Sequence, residues 1–429
     1  MQLHTRSVDA ELKDWFDACE HNDCTLVLLR SKDYDTYSTI KRMADLDRGM
    51  HTLCAVGKKI DPNRDEQKRH QFLANLTLKV NIKIAGDNHY PDQTTLNKLL
   101  GNRRNSTIIF GADVAHPGAG AKLGSPSIAC VVGSVDEVFM KYPGSMRLQA
   151  GGQEQIEPEH LRSMLKERFQ AWSAFENKNR LPTSVLFYRD GVSESQFKMC
   201  QEDEIPEIEA AYKELGGDTT KLTITFVVVG KRHHTRFYPT NTSQSYEERK
   251  KIGNASRMVT NGNLKPGLLV DSVVTNPEPS NFFLQSHCAI QGTARSAHYH
   301  ILHDGMALGK TILPQLTLLL CCAFSRSTKV VSYVAPAYIA DRLCERGRVY
   351  LRPWTINSSR GPTWPAPKDT AGKPFTKDRF DSWKKGKAQE LANTPGIWGP
   401  NYNENPNHPT KSVRLNPWHP NLDQGMFWM

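Results

Sequence analysis

The stretch IIFGADVAHP, residues 108–117, decides how the rest of the chain is read. Its first residues have the β-branched and aromatic character of a buried strand. The run then ends on a bare acid, Asp113, and breaks at Pro117. A carboxylate at the edge of a core is costly unless a cation answers it, so Asp113 calls for either an arginine or a metal ion beside it. The pattern recurs in SVLFYRDG (184–191), where a second apolar run stops at Asp190 and a glycine. A third acid, Asp341, lies in PAYIADRLCERGRVY (336–350), which reads as a helix with proline in its first turn.

Outward from these segments the chain alternates between strand and helix patterns. TLVLL (25–29) and TLCAV (52–56) read as short buried strands around the helix-compatible DTYSTIKRMADL (35–46). DEQKRHQFLANLTLKVNIKI (65–84) begins as a helix and ends in strand-like alternation. The polar GDNHYPDQTTLNKLLGNRRNS (86–106) reads as a linker. Beyond it, SIACVVGSV (127–135), EVFMKY (137–142), TITFVVVG (223–230), LLVDSVV (268–274), FFLQSHCAI (282–290), HYHILH (298–303) and VVSYV (330–334) read as strands. Leu161, Met164, Leu165, Phe169 and Trp172 form one stripe at helical spacing. SESQ (193–196) has a capping-box start, and LPQLTLLLCCAF (313–324) has the leucines of a core helix. This alternation predicts an α/β fold with parallel strands. From 351 the chain becomes rich in Pro, Gly and Lys. It is expected to be a mostly exposed, partly disordered excursion whose last dozen residues, WHPNLDQGMFWM, dock back.

With 429 residues, two or more domains are expected. No apolar run is long enough to cross a bilayer, and MQLHTRSVDAELKDW lacks a secretory pattern. Nine cysteines without a CxxC spacing point to reduced thiols in an intracellular setting. The formal charge of +10 makes a polyanionic partner plausible without requiring one.

A lone strand-end aspartate is usually a turn or cap residue. Three acids gathered at the carboxyl ends of neighbouring strands and on a helix against them can instead hold divalent ions. Oxygen-only ligands favour Mg²⁺ or Mn²⁺ over zinc. His233, His234, His287, His298, His300 and His303 have no cysteine at ligand spacing, so structural or polyanion-contacting roles come before zinc. GMALGK (305–310) misses the phosphate-loop spacing by one residue. Tyr37 with Lys41, and Lys79 with Lys83, are spaced four apart. Such pairs are either ordinary surface pairs or the aromatic-plus-cation clamp of a terminal nucleotide.

GADVAHP (111–117), YRDGVSESQF (188–197), KRHHTRFYP (231–239), SHCAIQGTARSAHYHIL (286–302) and VAPAYIAD (334–341) together resemble the PIWI domain of eukaryotic Argonautes, in matching order and separation. The long tail and the loops are most similar to Argonautes of the filamentous-fungal quelling pathway. Residues 1–85 resemble the family's MID domain. The resemblance implies a small Rossmann-like MID domain (1–85), a linker (86–106) and an RNase H-like PIWI domain (107–429) with an excursion at about 355–415. The N-terminal and PAZ domains of the family are missing from this chain, which resembles the C-terminal half of a longer protein.

The activity implied is guide-directed, cytoplasmic RNA silencing. A metal-dependent endoribonuclease would cut target RNA complementary to a small guide RNA, in company with silencing-pathway proteins. Asp113, Asp190 and Asp341 would bind Mg²⁺ or Mn²⁺. A fourth catalytic acid on a mobile loop is Glu154, with Glu157 as its competitor. Tyr37, Lys41, Lys79, Lys83 and Arg346 would hold the guide's 5′-phosphate, with Met429 at the same pocket and its terminal carboxylate nearby. Leu53 stands before Cys54 where the family often has glutamine, so Thr52 or His51 would supply that polar contact. Arg326, Lys329, Ser332 and Tyr338 would touch the guide backbone. RSKDYD (30–35) matches the loop that reads the first base and leaves the preferred nucleotide open. Two alternatives stand beside this: a guide-binding scaffold that does not cut, and, more remotely, an unguided RNase H or transposase-like nuclease.

Overall fold

The computed structural model describes residues 8–18, 24–252, 255–289, 291–356, 367–370, 372–394, 396–399 and 414–429. After helix α1 (Val8–Ala18), strands β1 (Thr25–Leu29) and β2 (Thr52–Val56) pair in parallel, with α2 (Tyr34–Arg42) between them in sequence. Helices α3 (Glu66–Lys83) and α4 (Gln93–Leu100) lead into β3 (Thr107–Ala115), β4 (Ser127–Gly133) and β5 (Gly144–Gln149). Next come α5 (Pro158–Ala174), β6 (Ser184–Asp190), the single turn α6 (Phe197–Met199), α7 (Ile205–Glu214) and β7 (Thr223–Gly230). A hairpin of β8 (Ser245–Ile252) and β9 (Ala255–Leu264) precedes β10 (Leu268–Val270), β11 (Asn281–Gln285) and β12 (Ala297–Asp304). Helices α8 (Gly309–Cys321), α9 (Ala335–Thr355) and α10 (Lys377–Asn393) complete the order.

Among the described residues the main sheet has eight strands in the order β10-β11-β12-β7-β6-β3-β4-β5. Its centre, β3, β6 and β7, is parallel, and the flanks are antiparallel. Both faces are covered, which is why these strands read as continuous apolar runs rather than as alternation. On one face Ile108, Phe110, Ala112, Phe187 and Phe226 pack against Leu161, Leu165, Phe169 and Trp172 of α5 and Ile208 and Tyr212 of α7. On the other, Ile109, Tyr188, Val227 and Val229 share a core with Ile339, Leu343 and Tyr350 of α9. Gly111 makes the second contact close. A Cβ there would lie 2.1 Å from the carbonyl oxygen of Pro336, so only glycine lets the start of α9 press against β3.

Several segments differ from the sequence reading. Residues 66–83 are helical throughout. Asp65 caps the start by accepting from Lys68 N at 2.9 Å, and the apparent alternation spreads around the helix with Leu76 and Ile82 buried. The expected linker 86–106 contains α4, whose Leu96, Leu99 and Leu100 join the main core. EVFMKY is a loop, not a strand: the carboxylate of Asp136 takes the N–H groups of Met140 and Lys141, and Phe139 has φ of +55°. The strand lies just after it, at Gly144–Gln149. VVSYV is not a strand either. Its backbone is bound by Ser286 Oγ, Cys321 O and the Tyr299 hydroxyl instead of a ladder. LLVDSVV and FFLQSHCAI are strands only over Leu268–Val270 and Asn281–Gln285.

The excursion is not uniformly irregular, because α10 packs Ala388 and Leu391 inward. Residues 357–366, 371, 395 and 400–413 of it lie outside the described residues. The chain end does dock: Trp418, Phe427, Trp428 and Met429 are buried. No helix among the described residues is long and apolar enough to cross a membrane.

Candidate active site and nucleic-acid interface

Parallel pairing sets up the acid cluster. Ala112 is in register with Arg189 on β6, so the next residues, Asp113 and Asp190, follow side by side at the strand ends. Asp113 is buried, and the Cys344 thiol on α9 donates to its carbonyl at 3.3 Å. That contact fixes α9 over β3 and sets Asp341 within electrostatic reach of both strand-end acids. Burial, and then the Asp341 charge, push Asp113 up to about 6 despite the Arg189 guanidinium. Burial and the Asp113 charge push Asp190 up to about 8, with Asp341 adding to the effect. Asp190 Oδ1 accepts from Gly191 N at 2.7 Å.

Glu154 arrives from the loop after β5. Its Oε1 accepts from Arg189 Nη1 at 2.9 Å, and its Oε2 lies 2.9 Å from His116 Nε2. Arg189 also donates from Nη2 to the Glu154 carbonyl at 2.6 Å, and from Nε to buried Glu204 at 3.1 Å. Gly191, with φ of +89°, leaves the gap through which Glu154 approaches. A Cβ there would be 2.8 Å from Glu154 Oε1 and 3.5 Å from Asp113 Oδ1. Glu157 goes elsewhere: it starts α5, and its Oε2 is 3.1 Å from Lys385 Nζ. Of the two candidates, only Glu154 is brought to the aspartates. Sequence reasoning missed Arg189 and His116. Both sit inside the motifs YRDG and VAHP, one residue before and three residues after an acid, but nothing in those motifs says which way they point.

The donor set tests the idea of a bound divalent ion. Asp113 and Asp190 are acids whose pKa is raised first by burial and then by neighbouring acids, Asp341 among them, and a cation would offset both effects. The donors are all oxygens, as Mg²⁺ or Mn²⁺ requires. Yet among the described residues no three Asp, Glu, His or Cys side chains are drawn together as a formed metal cage. Two acids of the set are held by other cations. Asp341 Oδ2 pairs with Arg342 at 2.8 Å (Nε) and 2.5 Å (Nη2), and Glu154 pairs with Arg189. The residues suit the ion in kind, and the Arg342 pair engages only Oδ2 of Asp341. The histidines form no such site. His298 stacks on Phe283 at 3.8 Å, and burial pushes it down to about 3 and its neighbour His300 down to about 4.

A second site lies where α9 meets α2 and α3. A cavity of about 230 Å³ is lined by Tyr37, Lys41, Thr52, Lys79, Lys83, Arg346 and Met429, with Arg326 at the same wall. Helical spacing of four brings Lys41 beside the Tyr37 ring, 5.6 Å from its centre, and puts Lys79 and Lys83 on one face of α3. Lys41 Nζ donates to Thr52 O at 2.6 Å and to its Oγ1 at 2.8 Å, so Thr52 enters the site through Lys41. Lys83 Nζ donates to the Phe427 carbonyl, which ties the docked chain end to the cavity. Arg346 is buried against Asp45 at 2.5 Å, and the Tyr350 hydroxyl donates to the same carboxylate at 2.8 Å.

The cavity is short of negative charge. Burial pushes Lys79 down to about 8, and Arg326, Lys41, Lys59 and Arg346 add to this. Burial and the neighbouring cations Lys41 and Arg346 hold Lys83 well below the ordinary lysine range. Leu53 and Cys54 line the cavity as the sequence reading placed them, while Arg342, Glu345 and Trp428 also line it and were not foreseen. Arg342 and Glu345 are on the same helix as Arg346 but carry no distinguishing motif. Lys329, Ser332 and Tyr338 are not part of this lining. Lys329 is exposed, Ser332 Oγ accepts from Lys231, and Tyr338 stacks on Phe324 at 4.5 Å and on Tyr333 at 4.9 Å.

Comparison with known proteins identifies the family and the fold. Residues 24–352 match the Piwi domain. The chain belongs to the Piwi-domain family. It is 39% identical over 320 residues to Protein argonaute 18 of Oryza sativa subsp. japonica, covering 73% of this chain and 27% of that protein. The chain thus spans about a quarter of that relative's length. Its fold overlays the crystal structure of Kluyveromyces polysporus Argonaute with a guide RNA, with a TM-score of 0.72, 26% identity, and coverage of 98% of this chain and 43% of that one. The MID-PIWI domains of N. crassa QDE-2 share the fold, with a TM-score of 0.56 and 22% identity over 100% of this chain and 85% of that one. The architecture is accordingly mixed α/β with an RNase H-like core, and the homologues are eukaryotic Argonautes.

Proposed function

We propose that this chain binds the 5′-phosphate of a small guide RNA in the basic cavity and cuts complementary target RNA at the acid cluster. The observation that carries this reading is convergence. Cations from α2, α3, α9 and the loop after α8 meet in one cavity with room for a phosphate, and α9 also supplies Asp341 to the acids. The Kluyveromyces polysporus relative, solved with a guide RNA, supports the first half. The quelling-type assignment rests on the long C-terminal segment and the loop style.

In this reading Lys41, Lys79, Lys83 and Arg346 clamp the phosphate, Tyr37 offers a stacking face, and base pairing supplies target specificity. Arg326, Lys329, Ser332 and Tyr338 follow the guide backbone. Asp113, Asp190 and Asp341 hold Mg²⁺ or Mn²⁺, and Glu154 completes the set while Arg189 and His116 fix its carboxylate. When bound, divalent ions would activate water and offset charge on the leaving oxygen. Loss of the protons from Asp113 and Asp190 accompanies metal binding.

A second reading, a guide-binding silencing scaffold that does not cut, is favoured by the Asp341–Arg342 pair and the absence of a formed cage among the described residues. The test is to load the protein with a 5′-phosphorylated guide, add complementary RNA and Mg²⁺, and compare it with Asp190→Ala. One cut at a fixed distance from the guide 5′ end, lost in the variant and in EDTA, is expected. Tight loading with no cut would leave the scaffold reading.

A further inference from the structure

Glu154 reaches the aspartates only while its loop stays folded over the strand ends. Gly151 and Gly152 give that loop conformational freedom. On its inner side the loop is gripped by Ser127 Oγ, which accepts from Gly152 N at 2.9 Å. The Gln149 amide also grips it, donating to Gln153 O at 2.9 Å and Gln155 O at 2.8 Å. On its outer side lies α10, part of the C-terminal segment. Lys384 Nζ donates to Gly151 O at 3.0 Å. Lys385 Nζ stands 3.1 Å from the carboxylate of Glu157. The helix is itself anchored through buried Ala388 and Leu391, and it packs on β5.

We propose that α10 is a brace for the Glu154 loop, with Lys384 and Lys385 as positioning residues. The two lysines take hold three residues before and three residues after Glu154. With both flanks fixed, the intervening residues keep the carboxylate at Arg189 and His116. With the outer grip gone, the glycines let the loop withdraw, and the acid cluster loses its fourth member. The brace acts on the site through Glu154 and touches no substrate. The inference rests on the cleavage reading for its consequence, but the loop's position can be measured without it.

The test uses the whole chain, guide-loaded, as wild type, Lys384→Ala/Lys385→Ala, Lys384→Arg, Lys385→Glu, and Lys385→Glu with Glu157→Lys. Hydrogen exchange is followed in peptides covering 148–157, beside single-turnover cleavage and the guide and target Kd. In the double alanine variant, exchange at 151–156 is expected to quicken about tenfold. Cleavage should slow about tenfold, with both Kd values unchanged. Lys384→Arg, which can still donate to the carbonyl, and the swapped Lys385/Glu157 pair should recover both readouts. Unchanged exchange in the double variant overturns the brace, and so does faster exchange with undiminished cleavage. If the wild type loads guide and does not cut, the cleavage reading fails on that result alone. The exchange arm then decides the brace, quickened exchange supporting it and unchanged exchange overturning it. Should the double alanine variant melt early, the swapped pair against Lys385→Glu carries the same comparison.

Discussion

Binding of the guide phosphate should take up a proton at Lys79, so affinity should fall as pH rises through 8. In the empty cavity burial and nearby cations hold Lys79 at about 8. Roughly nine-tenths of it is charged at pH 7 and about one-tenth at pH 9. A dianionic phosphate a few ångströms away favours the charged lysine and raises its pKa by about 1–3 units. The complex therefore keeps Lys79 protonated across this range, while the free protein loses the proton. The guide's phosphate stays dianionic throughout, since its second pKa is about 6. The free protein must then regain a proton at pH 9 to bind, which weakens the Kd by about tenfold, or ~1.4 kcal/mol, relative to pH 7. Lys83, also held well below the ordinary lysine range by burial, can only steepen the trend.

The assay is fluorescence anisotropy with a short labelled RNA carrying either a 5′-phosphate or a 5′-hydroxyl, at constant ionic strength because phosphate contacts are salt-dependent. The phosphorylated RNA should lose affinity between pH 7 and 9 and the hydroxyl RNA should not. Lys79→Arg keeps its charge at both pH values and should remove about one proton from the slope. Equal affinities at pH 7 and 9, or the same slope for both RNAs, would refute the assignment of Lys79 to the phosphate.

The acid cluster gives a linkage of the same sign, in fold stability rather than affinity. Asp190, raised to about 8, costs the metal-free fold stability as pH climbs from the unfolded value near 4 through 8. Asp190→Asn in EDTA should therefore raise Tm at pH 8, by an amount worth roughly 5 kcal/mol that vanishes near pH 4, while abolishing cleavage; a lower Tm at pH 8 would contradict it. Arg346→Ala strands the buried Asp45 carboxylate and should cost about 3–5 kcal/mol in chemical denaturation. Adding Asp45→Asn should recover much of that loss, but not guide affinity. Gly191→Ala places a methyl 2.8 Å from Glu154 in a left-handed backbone. It should reduce single-turnover cleavage by at least about a hundredfold while leaving guide Kd unchanged. Gly111→Ala forces a methyl against the Pro336 backbone, should cost about 1–3 kcal/mol in thermal melts, and should impair cleavage and guide binding together.

The parallel centre of the sheet was legible because buried strands leave a one-dimensional mark, a run of Ile, Val and Phe ending at an acid. Asp113 and Asp190 could be paired because neighbouring parallel strands in register end together. Residues whose roles depend on direction were not legible. Arg189 alternates onto the face opposite Asp190 and reaches Glu154 and Glu204 through space. The β8–β9 hairpin is polar on most positions and carries no burial period to read. VVSYV has strand composition, but its neighbours offer side-chain and helix-end hydrogen-bond partners, and these win over a ladder. Segment 86–106 was misread because three leucines in a polar stretch of twenty-one residues are a weak signal until α4 is seen against the core. Glu154 and Glu157 were inseparable by spacing, and only the third dimension sends one to Arg189 and the other to Lys385.

One helix serves both candidate sites, and that constrains how they can behave. Asp341 and Arg346 are five residues apart on α9, about 140° around its axis, so they face different neighbours: the strand ends and the cavity at α2 and α3. The helix cannot shift easily between them. Gly111 meets its first turn, and Gly347 lies against Met146 and Ile128, where a Cβ would come within 2.7 Å of the Met146 sulfur. Ser38 and Arg42 of α2 donate to its carbonyls at Val349 and Tyr350, at 2.6 and 2.7 Å. A phosphate that draws on Arg346 therefore pulls on a rod whose other face carries Asp341 and Arg342. Arg342 lines the cavity while it pairs with Asp341. On the proposed reading, an anion in the cavity would compete for that guanidinium and loosen its hold on Asp341. Guide loading and completion of the acid set would then be coupled through two adjacent residues, without any movement of the fold.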